Sequence, residues 1–423
     1  MTTSVEIRVP GDKSLSHRAL IFSALATGRS RVRDVLQSAD VHSTAGVLRA
    51  LGVAVPPLGD DIIIDARGAR AMLAPTRDLD CGNSGTTTRL MAGVAAGCDF
   101  RSRFIGDASL SKRPMRRVAK PLTAMGARVE LESGDGLPMV VQGGALQSIV
   151  WTSETASAQI KSAILLAGVV GGVAMEVSEP SRSRDHTERM LRSLGAVVVV
   201  DGTRVRVEVI DVLAPLDVRV PADPSSAAFL LALATLSHSA PVSTPNVCLN
   251  PTRTGFLDVL RSMGALIRID EGPEQGGEPT GTVRASHAEL SAVSVEESQV
   301  PSMIDELPLL ACVGARARGT TVVRGAAELR VKESDRIATV VSNLRSIGAD
   351  AEELPDGLTV TGSTAPLRGR VITHGDHRIA MAFGVLGALP GNEIEVDDPA
   401  CVVVSYPAFW TDLARVTRTF HGR

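Results

Sequence analysis

Residues 186–209 read HTERMLRSLGAVVVVDGTRVRVEV, one structural motif in 24 residues. Met190, Leu191 and Leu194 fall at helical spacing, and Gly195 stands where a residue in left-handed geometry ends a helix. The valine runs on either side of Asp201-Gly202 then read as two strands joined by a tight turn. The same sequence of helix, glycine, strand, turn and strand recurs along the chain. Its glycines are Gly52, Gly126, Gly195, Gly264 and Gly348, each preceded by an amphipathic segment such as RRVAKPLTAMG or RTGFLDVLRSMG. Asp135-Gly136 and Asp356-Gly357 take the turn position in two further copies. A weaker sixth copy begins at HRIAMAFGVLGAL. Six units of about 70 residues predict two α/β domains of three units each, with mixed sheets.

Composition narrows the function. The 423 residues carry 44 basic and 47 acidic side chains, a formal charge of −3, so no basic field is present to hold nucleic acid or an anionic membrane. Eleven aromatic residues are too few for a base-stacking platform. Cys81, Cys98, Cys248, Cys312 and Cys401 form no CxxC pair, which points to reduced thiols and a cytosolic protein. The N-terminus has no apolar core of a secretory signal, and the longest apolar stretch, 163–175, is too short to span a bilayer. Only five of the 44 basic residues are lysines: Lys13, Lys112, Lys120, Lys161 and Lys332. Because an ammonium and a guanidinium are not interchangeable at a tight site, these positions are worth following.

Several helix starts are unusually polar. Residues 10–18, PGDKSLSHR, place a glycine turn, a lysine and two hydroxyls at a helix N-terminus, a natural anion site, but without the spacing of a Walker loop. Residues 81–89, CGNSGTTTR, offer backbone amides beside Gly85, where a phosphate oxygen can approach closely. Residues 109–117, SLSKRPMRR, concentrate cations, and 153–161, SETASAQIK, set polar groups at the mouth of a helix too apolar to face solvent. In the second half, Asp305 and Glu306 precede another apolar helix and 330–336, RVKESDR, alternates charges. That alternation fits either an acid–base pair or salt bridges along one helix start. His374-Gly375-Asp376-His377-Arg378 lacks the further ligands a metal needs, so no metal is expected, and Arg378 suits an anion.

Taken together, PGDKSLSHR, GNSGTTTRL, FIGDASLSKRPM, ASAQIKSAILLAG, SRDHTERML, NPTRTG, PSMIDELP, ELRVKESDR and DHRIAM resemble the EPSP synthase (3-phosphoshikimate 1-carboxyvinyltransferase) family over nearly the whole chain. ASAQIKSA and FIGDASLSKRP are most similar to its class II members. The resemblance implies two domains, each of three β/α units around a pseudo-threefold axis (an inside-out α/β barrel), with the active site in the interdomain cleft. It sets the domains at 13–222 and at 1–12 plus 223–423. It also implies transfer of the enolpyruvyl group of phosphoenolpyruvate to the 5-hydroxyl of shikimate 3-phosphate by addition and elimination, in aromatic amino acid biosynthesis, by a cytoplasmic monomer without cofactor.

Carried onto this sequence, the resemblance gives Lys13, Ser14, Arg18, Ser157, Ala158, Gln159, Arg184, Asp305 and Lys332 to shikimate 3-phosphate. It gives Lys13, Gly85, Arg113, Gln159, Arg336 and Arg378 to phosphoenolpyruvate. Asp305 is expected to take the proton of the attacking hydroxyl and Glu333 to protonate C3, with Lys13 also catalytic and either it or Glu333 the immediate donor.

One departure stands out. Some members have a lysine just before the C-terminal (S/T)-(F/Y)-P, where this chain has Val404, so its phosphoenolpyruvate pocket is expected to be less cationic or to lean on Arg113. Alanine at the Gly85 position is associated in the family with tolerance of glyphosate, so glycine here implies sensitivity. The sister activity, enolpyruvyl transfer to UDP-N-acetylglucosamine, goes with a Lys-Asn pair and a loop cysteine. Ser14 follows Lys13 here, and Ser111-Lys112-Arg113 contains no thiol. A non-catalytic ring-forming clamp of similar units would need a basic inner face, of which the charge balance gives no sign.

Overall fold

The computed structural model describes residues 4–132, 134–238 and 240–418. The chain forms two compact units. The first comprises Gly11–Pro221 with the short segment Glu274–Glu278; the second comprises the described remainder. Gly11 belongs to the first unit because its backbone lies against the Asp34 carbonyl, 2.2 Å from where a Cβ would stand, so any larger residue would collide. The return of Glu274–Glu278 to the first unit carries no periodic signal. It is fastened there by Glu278, whose Oε1 lies 2.7 Å from His186 Nδ1 with both side chains buried.

Each unit contains three sheets among the described residues, and the full sheets share one order. In the first unit, Leu79–Asp80 runs parallel to Arg101–Ile105. That strand pairs antiparallel with Met139–Gln142, which pairs antiparallel with Arg128–Leu131. Ile149–Thr152, Met175–Ser178, Arg204–Val207 and Val198–Asp201 repeat the order. The second unit shows it twice, around Val242–Cys248 and Thr320–Val323. The five repeat glycines all have positive φ, between 83° at Gly52 and 109° at Gly126, the geometry that ends a helix and that a Cβ disfavours.

Two copies depart from the sequence pattern. After Gly52 no hairpin forms: the next strand is Asp61–Arg67, paired with Thr27–Arg33, because Pro56 and Pro57 remove the backbone donors a ladder needs. HRIAMAFGVLGAL is likewise not a sixth amphipathic helix. His377–Gly387 is buried along nearly all its length, and the amphipathic helix of that unit is Phe409–Arg418.

The fold therefore alternates two helix types. Among the described residues, six helices are almost wholly buried: Lys13–Leu25, Gly85–Ala96 and Ala158–Gly171 in the first unit, and Pro224–Leu236, Leu307–Gly314 and His377–Gly387 in the second. Small residues let them pack closely, as where Gly93 meets the Ala163 carbonyl 2.2 Å from an ideal Cβ position. Amphipathic helices such as Arg116–Ala124 and His186–Ser193 cover the outside. No helix among the described residues is long and apolar enough to cross a membrane.

Candidate active site

The first turn of a buried helix leaves backbone N–H groups without intrahelical partners and a positive dipole end. Nearly all the site residues expected from the sequence stand at such starts, or at the starts of the amphipathic helices. Asp12 caps Lys13–Leu25 by accepting from the Leu15 N–H at 2.8 Å, and Ser84 caps Gly85–Ala96 by accepting from the Thr87 N–H at 3.1 Å. Ser157 opens Ala158–Gly171, and Asp376 caps His377–Gly387 by accepting from the Arg378 N–H at 3.0 Å.

In the first unit, Lys13 pairs with Asp40 at the start of the neighbouring amphipathic helix. Arg18 is only 3% exposed; it donates to Thr187 Oγ1 at 2.8 Å, to Ser162 Oγ at 2.7 Å and to the Ser14 carbonyl at 3.0 Å. Burial lowers its pKa to about 10, against the pull of Glu188, and Arg184 lies close enough to lower it further. Arg18 thus ties the Ser14 turn to Ser162 and Thr187, with Arg184 close enough for its charge to be felt.

A second group forms around Gly85. Arg89 donates to Gln159 Oε1 at 2.6 Å and to the Pro114 carbonyl at 3.2 Å, and the Gln159 amide donates to Thr86 Oγ1 at 3.0 Å. Arg113 donates to Asn83 Oδ1 at 2.6 Å. An ideal Cβ on Gly85 would lie 3.1 Å from Arg89 Nη1 and 3.5 Å from Arg113 Nη1, so two guanidinium ends frame this glycine. Beneath it runs a chain of side-chain contacts. His17 Nδ1 is 2.7 Å from Thr44 Oγ1, which is 2.7 Å from Thr87 Oγ1, whose hydroxyl donates to Ser84 Oγ at 2.8 Å. Burial lowers the His17 pKa to about 3, keeping the ring neutral at neutral pH.

In the second unit, Asp305, Glu333, Arg336 and Arg378 converge. Arg336, 1% exposed, lies 2.7 Å from Glu333 Oε2, 3.4 Å from Asp305 Oδ1 and 2.8 Å from Asp376 Oδ2. Burial alone would ease its proton off, but Asp376, Glu333 and Asp305 together hold its pKa above the ordinary arginine value. Arg378 donates to the Asp305 carbonyl at 3.2 Å and lies 3.6 Å from Asp305 Oδ2. Glu306, next in sequence, accepts from Ser225, which in turn accepts from Arg253 at 2.9 Å.

Not every expected residue joins these groups. Lys332 turns to Glu328 at 3.4 Å, an i,i+4 pair on its own turn. Val404 ends the short 3₁₀ helix Pro399–Val404. Of the other lysines, Lys120 makes a surface pair with Glu154 at 3.5 Å, Lys112 is exposed, and Lys161 is buried between two glutamates. Residue types alone missed Arg89, Asp40 and Asp376. Arg89 had a usable signal, four residues after Gly85 and so on the same helix face; Asp40 had none. Among the described residues, no group of three or more His, Cys, Asp or Glu side chains is arranged to hold a metal ion.

The chain is similar to several known proteins. The family model described as EPSP synthase (3-phosphoshikimate 1-carboxyvinyltransferase) matches residues 2–413. The 3-phosphoshikimate 1-carboxyvinyltransferase of Sulfurihydrogenibium sp. (strain YO3AOP1) is 46% identical over 417 residues, 97% of each chain. That of Xanthomonas campestris pv. campestris (strain B100) is 47% identical over 405 residues, 95% of this chain and 92% of the relative. Among solved structures, an EPSP synthase from Acinetobacter baumannii superimposes with a TM-score of 0.87 at 39% identity, covering 98% of this chain and 95% of that one. The enolpyruvyl transferase NikO from Streptomyces tendae, at 18% identity and a TM-score of 0.76 over 98% of this chain and 95% of its own, shares the fold.

Proposed function

The chain belongs to the EPSP synthase family, and from that premise we propose that it moves the enolpyruvyl group of phosphoenolpyruvate onto the 5-hydroxyl of shikimate 3-phosphate in aromatic amino acid biosynthesis. The reading that fits its side chains best shares the two substrates among them. Lys13, Ser14, Arg18, Ser157, Ala158, Gln159 and Arg184 take the 3-phosphate and ring. Gly85 and Arg113, with Lys13 and Gln159, take the phosphate end of phosphoenolpyruvate, and Arg336 and Arg378 take its carboxylate. Charge-assisted bonds of this kind contribute about 1.5–3 kcal/mol each, which suits two multiply charged substrates.

Chemistry then falls to the two carboxylates that meet Arg336. The 5-hydroxyl oxygen forms a bond to C2 of phosphoenolpyruvate, Asp305 takes the hydroxyl proton, and Glu333 supplies a proton to C3. The tetrahedral adduct loses a C3 proton as its C–O bond to phosphate breaks, leaving the enol ether and inorganic phosphate. Lys332, paired with Glu328 in the free chain, would have to swing from that partner to steady the hydroxyl. A substrate carboxylate at Arg336 competes there with Asp305 and Glu333, so binding loosens both acids from their cation and makes each a better proton acceptor or carrier. The buried thiols of all five cysteines suit a reducing cytosol.

The observation that carries this reading is the convergence of Asp305 and Glu333 on one buried guanidinium, with Arg378 against Asp305. NMR of the product tests it: equal amounts of inorganic phosphate and an enol ether on the 5-oxygen are expected. An enol ether at another oxygen would contradict the assignment. Enolpyruvyl transfer to UDP-N-acetylglucosamine is not favoured, since the matching family and relatives carry the shikimate name.

A further inference from the structure

Lys161 has no part in the chemistry above, yet its ammonium is among the most enclosed charges of the first unit. It lies 2.8 Å from Glu179 Oε2 and 2.8 Å from Glu188 Oε1, with all three side chains at most 3% exposed. Glu179 faces two ways. Its Oε1 accepts the Ser157 backbone N–H at 2.8 Å, and its two oxygens accept the Ser183 hydroxyl at 2.8 and 2.7 Å. Ser157 opens the helix that presents Ala158 and Gln159, and Ser183 immediately precedes Arg184. Glu188 acts on Arg18 as its strongest carboxylate influence, and Ser162, the neighbour of Lys161, accepts from Arg18 at 2.7 Å. Lys161 thus stands behind every first-unit segment given above to the 3-phosphate except Lys13 and Ser14.

We propose that Lys161 is a positioning residue for shikimate 3-phosphate: it fixes Glu179 on the Ser157 and Ser183 anchors and balances Glu188 behind Arg18. The inference rests on the assignment of Ser157, Gln159, Arg18 and Arg184 to that phosphate. Burial disfavours the ammonium, but Glu188 and Glu179 hold its pKa above the ordinary lysine value, so the charge persists at neutral pH. Without it, two buried carboxylates share too little positive charge. They relieve the excess by drawing Arg18 towards Glu188 and by loosening Glu179 from its Ser157 and Ser183 anchors, and either response displaces the phosphate contacts.

The test is a KM-against-kcat comparison on the full-length protein with two variants. Lys161→Met removes the charge; Glu179→Asp keeps both charges but withdraws the carboxylate from Ser157 by one methylene. For each, the KM for shikimate 3-phosphate is expected to rise about tenfold or more, as small misplacements of binding groups do, while the KM for phosphoenolpyruvate stays near the parent value. A purely structural role would lower the melting temperature and the active fraction and leave both KM values alone. An unchanged KM for shikimate 3-phosphate in a folded Lys161→Met protein overturns the proposal. If that variant does not fold, an unchanged KM in Glu179→Asp overturns it. A parent protein that releases no phosphate with shikimate 3-phosphate would instead overturn the functional assignment.

Discussion

Arg336 and Asp376 make a double contact out of reach of water: Nε donates to Oδ2 at 2.8 Å and Nη2 to Oδ1 at 3.2 Å, with side chains 1% and 0% exposed. Asp376 also caps its own helix and accepts the Ser334 hydroxyl at 3.0 Å. The guanidinium is therefore anchored on one side, and its other side is left to Asp305 and Glu333.

Asp376→Asn keeps the cap oxygen and removes the charge. Breaking a buried ion pair by neutralising one partner costs about 3–5 kcal/mol, and the low end, about 3, is expected because Asp305 and Glu333 remain beside Arg336. Urea unfolding followed through Trp410, which lies in the same unit, checks it. A loss under about 1 kcal/mol, the scale of an exposed pair, would show the anchor to be dispensable.

Asp305→Ala and Glu333→Ala should each lower kcat by about 10²–10⁴, the usual contribution of a positioned acid or base. The KM for phosphoenolpyruvate should stay level or fall, because each change frees part of Arg336 for the substrate. Steady-state kinetics decide: near-parental kcat in either variant would remove that residue from the chemistry.

Gly85 sits against the ends of Arg89 and Arg113. Millimolar glyphosate should abolish turnover of the parent protein. Gly85→Ala should relieve that inhibition while weakening phosphoenolpyruvate by ~1.5 kcal/mol, roughly tenfold in KM, as one charged contact shifts. Parental turnover undiminished by glyphosate would contradict the assignment of this glycine.

His17 links stability to pH. Its folded pKa, about 3, lies below the ordinary 6.5, so between those values the unfolded chain binds a proton that the folded chain does not. Its contribution is present above the unfolded pKa and is lost as pH falls from about 6.5 towards 3, with a limiting slope of ~1.4 kcal/mol per pH unit. His17→Asn should flatten the dependence of unfolding free energy on pH by about one proton over this window. An unchanged slope would mean that the ring is protonated in the folded protein.

Local physics explains which parts of this architecture can be read from the sequence. Helix period, a glycine at positive φ and a valine-rich hairpin are short-range signals, and residues 186–209 carry all three. Pro56 and Pro57 were visible as well, and their cost to the ladder explains the missing hairpin after Gly52. The His377 helix misled because a buried helix of mixed small and large apolar residues still leaves apolar side chains at helical spacing. Asp40, Asp376 and the Glu274–Glu278 segment depend on partners far along the chain, and a carboxylate shows no sign in sequence of the cation it will meet. Lys161 belongs with them: its motif marked the neighbourhood, while its two glutamates, 18 and 27 positions later, became evident only from the folded chain.

Phosphate release from phosphoenolpyruvate shows which acceptor the protein uses. With shikimate 3-phosphate as acceptor, release should be rapid and should stop when the acceptor is exhausted; with UDP-N-acetylglucosamine it should stay at the level without acceptor. Release that requires the UDP-sugar, or none with shikimate 3-phosphate, would rule out shikimate 3-phosphate as the acceptor.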